Sequence, residues 1–291
     1  MQTPDMADDG AFVTLRDGRK LVYAEYGRRR GSPAFYFHGT PGGLLEGRLL
    51  DEAARLQDVR LIAVDRPGYG SSDFKENRRL TDWPDDVADL AAALEIERFG
   101  VVGLSGGGPH AQACAAAMPE RVTTAVLVSS AGSPEAAVDG RGRIARLLIK
   151  GMLAITPFFA WIAAMWTALW APHTRQWMMP RSIDRSVMKR CEVREAFVEE
   201  VREALRPGGR AMAQDLVLFS RPWGFAPGDV GAVPVRLWHG DADKVVPVSI
   251  GRYFAREIPG CRATFVVGGG HMMIVDHARE IMAAISDAAR A

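Results

Sequence analysis

In its first third the chain alternates short, unbroken apolar runs with longer stretches of helical periodicity. Residues 12–16 and 20–26 flank Asp17-Gly18, a dipeptide suited to a tight hairpin because the turn demands positive φ. The runs AFYF at 34–37 and LIAV at 61–64 show no polar alternation, the pattern of strands buried on both faces of a parallel sheet. A helix is expected between them, over 44–57. At 82–97, Val87, Leu90 and Leu94 recur at helical spacing, with carboxylates at the N-terminal end where the helix dipole favours them. A strand at 100–104, a helix at 107–118 and a strand at 125–129 complete a hairpin followed by β-α units.

From about 133 to 221 this alternation stops and the pattern reads helical, ending in a charged amphipathic stretch at 187–205. Strand and helix resume at 233–238, 248–258, 263–267 and 272–289. The simplest architecture is an α/β fold: a mostly parallel twisted sheet with helices on both faces, its core made of residues 1–132 and 222–291, and a helical insertion at 133–221. Residues 151–174 contain no Asp, Glu, Lys or Arg and are long enough to cross a bilayer of about 30 Å. Pro157 interrupts this run, which is a single mid-chain candidate between charged, patterned flanks. A buried or lid-forming helix pair is therefore expected, not a stable membrane span.

Composition adds exclusions. The 291 residues are 48% hydrophobic and 24% charged, ordinary for a globular chain. Thirty-six Lys and Arg balance thirty-five Asp and Glu without a long run of either sign, so nucleic acid is not an expected partner. Cys114, Cys191 and Cys261 are odd in number and widely spaced, which suits neither a disulfide framework nor a zinc site; reduced, buried fillers are expected. Residues 1–10 are polar and acidic and lack the features of a secretory signal, which makes cytoplasmic residence the expectation.

The chemistry gathers at Gly103-Leu104-Ser105-Gly106-Gly107, a G-x-S-x-G between an apolar strand and a helix. A nucleophile on so sharp a turn takes strained angles, and side chains two residues to either side would collide with the adjoining strand and helix. A hydroxyl nucleophile also needs a base, and its tetrahedral intermediate needs fixed N–H donors. In Phe37-His38-Gly39-Thr40-Pro41-Gly42 the glycines let the backbone turn, so the N–H of Thr40 can face the same point as that of Gly106, while His38 reads as a loop-ordering residue. His271 follows Gly268-Gly269-Gly270 after the last strand, a loop free to carry an imidazole to the turn. The overlapping G-x-G-x-x-A at 106–111 lacks an acidic ribose partner after the next strand, so a nucleotide cofactor is not expected. His239-x-Asp241-x-Asp243 lacks a second histidine cluster, so neither is a metal.

Together with Asp65-Arg66-Pro67-Gly68-Tyr69-Gly70-Ser71-Ser72 and His239-Gly240-Asp241-Ala242-Asp243-Lys244-Val245-Val246-Pro247, these motifs resemble the α/β-hydrolase family in order and over the whole core. The resemblance implies Ser105 as nucleophile, Asp243 as orienting acid and His271 as general base, with backbone N–H groups of Thr40 and Gly106 as the oxyanion hole. It places the acid at Asp243 rather than Asp241, and the alternative position after the preceding strand, Ser129-Ser130-Ala131-Gly132, has no carboxylate. Serine at the elbow sets aside branches with an aspartate nucleophile. The expected activity is acyl-enzyme hydrolysis of a small to medium, partly apolar carboxylic ester, a carboxylesterase without a cofactor. Lactonase, thioesterase, C–C hydrolase and proline-iminopeptidase-like activities share the same triad, and a non-catalytic ligand receptor on this fold is an alternative of another class. HGTPG resembles the proline iminopeptidases, except that Thr40 replaces a glycine. Amine recognition would need acids over the pocket, whereas Glu192, Glu195, Glu199, Glu200 and Glu203 read as the wet face of a helix. In this family the insertion is a cap over the nucleophile, and its aromatic and methionine residues, Phe158, Phe159, Trp161, Trp166, Trp170, Trp177, Met152, Met165, Met178 and Met179, are candidates for lining the pocket.

Overall fold

The computed structural model describes residues 10–170 and 187–290, leaving undescribed the side chains of Trp161 and residues 163–170. Among the described residues one sheet has eight strands: β1 (Ala11–Thr14), β2 (Lys20–Gly27), β3 (Ser32–Phe37), β4 (Val59–Val64), β5 (Phe99–Leu104), β6 (Val122–Val128), β7 (Val235–Gly240) and β8 (Arg262–Val266). Their spatial order is β1-β2-β4-β3-β5-β6-β7-β8. The first two pairings, β1 with β2 and β2 with β4, are antiparallel and all the others parallel. At the expected hairpin Thr14 pairs with Lys20, and Gly18 takes φ +86°.

The unbroken apolar runs explain how the sheet is covered. Successive side chains on a strand point to opposite faces. In β3, Phe35 and Phe37 enter one core while Ala34 and Tyr36 enter the other; in β4, Ile62 and Val64 oppose Leu61 and Ala63. The first core is closed by α2 (Trp83–Ala93), α3 (Gly107–Ala117) and, further along the sheet, α9 (Val248–Glu257). The second is closed by α1 (Asp51–Leu56) and α10 (Ala278–Arg290), which buries Ile281, Met282 and Ile285.

Between β6 and β7 the described chain is helical: α4 (Pro134–Val138), α5 (Arg143–Trp170), α6 (Cys191–Ala204), α7 (Arg210–Phe219) and α8 (Pro227–Val230). The first begins where expected, with the Ala136 N–H donating to Ser133 Oγ at 3.2 Å and Pro134 in the first turn. Pro157 does not break the uncharged run into a pair. A 28-residue helix passes through it, because proline removes only one ladder donor and the rest of the ladder persists. Residues 171–174 of that run lie outside the described residues. No described helix is long and apolar enough to cross a membrane.

Other boundaries differ from the pattern. The helix expected over 44–57 is a 3-10 segment, Leu44–Leu50, followed by the short α1. The last helix starts at Ala278 rather than near 272, because residues 272–277 form consecutive turns in which Val275 N bonds Met272 O and His277 N bonds Met273 O. Met272, Met273 and Ile274 are buried there, so helix-like apolarity reflects packing under the sheet edge. The cysteines are all free, and Cys191 is exposed at the start of α6, unlike buried Cys114.

Candidate active site

The loops at the C-terminal ends of β3, β5, β7 and β8 carry Thr40, Ser105, Asp243 and His271, the edge where open α/β sheets form crevices. Ser105 sits between β5 and α3 at φ +51°, a conformation costly for a residue with a side chain. Its N–H donates to Val128 O at 2.9 Å, and its carbonyl accepts from Gly108 N at 3.0 Å and Ala131 N at 2.9 Å. The flanking glycines are needed for clearance: a Cβ on Gly103 would strike the Gly107 carbonyl, and one on Gly107 would strike the Phe37 carbonyl.

The loop after β3 lies directly against this turn. A Cβ at Gly39 would sit 3.8 Å from Ser105 Cβ, and one at Gly106 would collide with Thr40 Oγ1. His38 is wholly buried beneath the loop. Its Nε2 accepts from Arg66 N at 3.1 Å, so Nδ1 carries the proton and donates to Gly39 O at 2.8 Å. Burial and the Arg66 charge push its pKa well below the ordinary histidine value, leaving a neutral strut.

His271 Nδ1 lies 2.8 Å from Asp243 Oδ2. The other oxygen, Oδ1, accepts from Val245 N at 2.8 Å and Val246 N at 2.9 Å, which fixes the carboxylate. Burial opposes ionisation of Asp243, but the His271 hydrogen bond and charge with these N–H groups outweigh it and hold its pKa below the usual carboxylate range. Asp241, the competing acid, points elsewhere and accepts from Gly268 N at 2.7 Å, ordering the glycine loop that leads to His271. His239 Nε2 donates to the Val246 carbonyl oxygen at 2.9 Å and lies 3.5 Å from Asp243 Oδ2.

Two buried carboxylates from the helices between β6 and β7 reach this edge; the sequence reading did not single out Asp215 and placed Glu200 on a wet helix face. Asp215 of α7 is completely buried and accepts from Thr40 Oγ1 at 3.0 Å, Tyr69 Oη at 2.8 Å, Arg66 Nη2 at 2.7 Å and also from Arg78. Burial would raise its pKa, but the Arg66 and Arg78 charges hold it far below the ordinary range. Glu200 of α6 is a correction: it is buried, not on the wet face, and accepts from Gly43 N while its Oε2 has no partner among the described residues. A signal was present. Val193, Phe197, Glu200 and Ala204 fall on one helical stripe, and that stripe packs inward.

Glu200 adjoins two further buried carboxyls. Glu46 Oε2 accepts from Tyr36 Oη at 2.8 Å and Gly39 N at 3.0 Å, and Glu46 Oε1 would lie 3.7 Å from a Cβ at Gly39, the same position that adjoins Ser105. Asp65 accepts from Leu44 N at 2.7 Å and Ser71 N at 3.2 Å. Burial raises all three pKa values, that of Asp65 to about 7; for Glu200 the neighbouring Glu46 charge adds to it. Of the residues expected to line a pocket, Met152, Phe158 and Phe159 are exposed on α5. Trp177, Met178 and Met179, and the side chains of Trp161, Met165, Trp166 and Trp170, lie outside the described residues.

Residues 31–284 match the model of the alpha/beta hydrolase family. The chain belongs to that family. Among curated proteins it is 28% identical over 265 residues to a dihydrolipoyllysine-residue acetyltransferase component of an acetoin cleaving system from Pseudomonas putida, covering 91% of this hydrolase and 65% of the relative. It is 37% identical over 122 residues to a non-heme chloroperoxidase from Streptomyces lividans, covering 40% and 44% respectively. The matched stretch thus spans less than two thirds of either relative. Among solved structures, a thermophilic esterase from Thermogutta terrifontis superimposes with a TM-score of 0.73 at 21% identity, over 96% of this chain and 97% of that one, which is a likeness of fold.

Proposed function

We propose that this α/β hydrolase is a cytoplasmic serine carboxylesterase that cleaves a small to medium, partly apolar ester through an acyl-enzyme. The observation that carries the reading is the 2.8 Å contact between His271 Nδ1 and a clamped Asp243 carboxylate, on the same sheet edge as strained Ser105. His271 Nε2 takes the proton from Ser105 Oγ as that oxygen attacks the ester carbonyl carbon. Asp243 holds the imidazole in the Nδ1–H tautomer and stabilises its positive charge. The carbonyl electrons move onto an oxyanion received by the Thr40 and Gly106 N–H groups, each such donor contributing about 3 kcal/mol. When the intermediate collapses, the C–O bond to the leaving alcohol breaks and His271 returns the proton to it. Water then repeats the sequence on the acyl-enzyme, releasing the acid and free Ser105.

In this reading residues 133–221 form the cap, and residues 1–132 and 222–291 the core. Support comes from the reach of Asp215 and Glu200 from α7 and α6 to the Thr40 loop. Short aryl esters should be hydrolysed by the native chain and not by folded Ser105→Ala; equal turnover by the variant would remove Ser105 from the mechanism.

A second reading has a specific observation behind it. Buried Glu46 and Glu200 lack a cationic hydrogen-bond partner among the described contacts and adjoin the Gly39 loop, the acidic setting that a protonated amine substrate requires. Aminoacyl arylamides assayed beside the acyl esters separate the two. Faster turnover of the amine-bearing substrates, lost in Glu46→Gln, would favour an aminopeptidase-like activity.

A further inference from the structure

In the trans peptide that joins Gly39 to Thr40, the carbonyl and the N–H point in opposite directions, so whatever fixes the one aims the other. Gly39 O accepts from His38 Nδ1 at 2.8 Å and from Arg66 Nη2 at 3.0 Å, and both side chains are wholly buried. The Thr40 N–H faces away from them, and among the described residues nothing accepts it. Arg66 does not hold this peptide alone. A buried guanidinium needs a counter-charge, and its Nη2 reaches Asp215 Oδ2 at 2.7 Å. The same Nη2 donates to Thr40 Oγ1 at 2.9 Å, and that hydroxyl donates in turn to Asp215 Oδ2 at 3.0 Å. Arg66, Thr40 and Asp215 thus close a ring of hydrogen bonds around the residue that carries the N–H.

The ring sets the Thr40 side chain directly over Gly106, where a Cβ would collide with Thr40 Oγ1. Phe219, one turn beyond Asp215 on the same face of α7, would lie 3.2 Å from that Cβ. One face of α7 therefore backs both residues whose N–H groups receive the oxyanion in the mechanism above. Strands and their loops supply those donors, but the group that locks Thr40 comes from a helix between β6 and β7.

We propose that Asp215 is a positioning residue of the oxyanion hole: through Arg66 and the Thr40 hydroxyl it holds the Gly39–Thr40 peptide with its N–H toward the reacting carbonyl. The proposal rests on the serine-hydrolase reading and deepens it, because it makes docking of α7 a condition for stabilising the transition state. An anchoring role alone would lower stability and leave the chemical step untouched.

Thr40→Val separates the two, since it removes the hydroxyl and leaves the Arg66–Asp215–Arg78 ion pairs in place. With a short aryl ester, kcat/KM should fall by about 10- to 100-fold, part of what complete loss of an oxyanion donor costs. Inhibition by the matching trifluoromethyl ketone, whose carbonyl carbon bonds to Ser105 Oγ as its oxygen becomes the anion and His271 takes the proton, should weaken by a similar factor. Affinity for the corresponding secondary alcohol, which forms no oxyanion, should stay within about twofold. Thr40→Ser should restore most of the rate. Asp215→Asn, where circular dichroism shows it folded, should shift the same two quantities, and the double variant should lose less than the product of the single losses. Native ketone inhibition in Thr40→Val, equal weakening of ketone and alcohol, no recovery in Thr40→Ser, or fully multiplicative losses would overturn the positioning role while leaving Ser105 as nucleophile. Neither ester turnover nor ketone inhibition in the native chain would overturn the serine-hydrolase reading and this proposal with it.

Discussion

Ser105, Asp243 and His271 make different demands on the backbone, and each demand left a different trace in the sequence. Ser105 needs positive φ and clearance on both sides, and Gly103 and Gly107 supply the clearance; steric necessity made the motif legible. His271 needs a loop with reach, announced by three glycines. Asp243 was separable from Asp241 only by resemblance, because both stand two residues apart after the same strand and differ only in what they face. Asp243→Asn should leave the fold intact yet lower kcat by about 10⁴-fold, as the amide no longer enforces the productive tautomer; near-native turnover would show that His271 is oriented by something else. The helical stripe it shares with Val193, Phe197 and Ala204 marked Glu200 as inward-facing, but not its partner, because Gly43 lies far away in the chain. Burial raises the pKa of Glu46, Asp65 and Glu200 above their unfolded values, so the folded state binds protons that the unfolded state releases. The stability they contribute is complete below the ordinary carboxylate range and is lost as pH rises through each raised pKa, about 7 for Asp65. Asp243 and Asp215, with lowered pKa values, act in the opposite sense and lose stability only as pH falls below the ordinary carboxylate range. Urea midpoints should therefore decrease from pH 5 to pH 8, and Glu200→Gln should flatten that decrease; an unchanged slope would contradict it.

At the scale of elements, strands were read more accurately than helices. AFYF and LIAV are buried on both faces, and burial on both faces permits little but apolar residues. Helix boundaries depend on local turns instead, and the stretch after His271 shows how apolar loop residues imitate a helix start. Loss of alternation after β6 marked the stretch that is helical between β6 and β7, but not how it is attached. That attachment is polar: Asp215 of α7 is bound between Arg66 and Arg78, and the same carboxylate receives the Thr40 hydroxyl. Asp215→Ala should destabilise the chain by about 3–5 kcal/mol in urea unfolding, since it leaves two buried guanidinium groups without their counter-charge. A loss below about 1 kcal/mol, the range of an exposed pair, would show that the arginines find other partners.

Over the whole molecule, a single sheet brings together residues from 40 to 271 at one edge, and the helices between β6 and β7 contribute buried acids to that same edge. Near-neutral net charge concealed an uneven distribution, with acids buried around the Gly39 loop and four cations with no acid along residues 140–160. The uncharged run first noticed as a potential span is, over its described part, a helix that buries Ala160 and exposes Met152, Ile155, Phe158 and Phe159. In the proposed mechanism Ser105, activated by His271, is the group that becomes acylated. Treatment with a fluorophosphonate followed by peptide mass mapping tests it most directly. One adduct is expected, on Ser105, absent from folded His271→Ala; an adduct on another residue, or labelling undiminished without His271, would contradict acylation of Ser105.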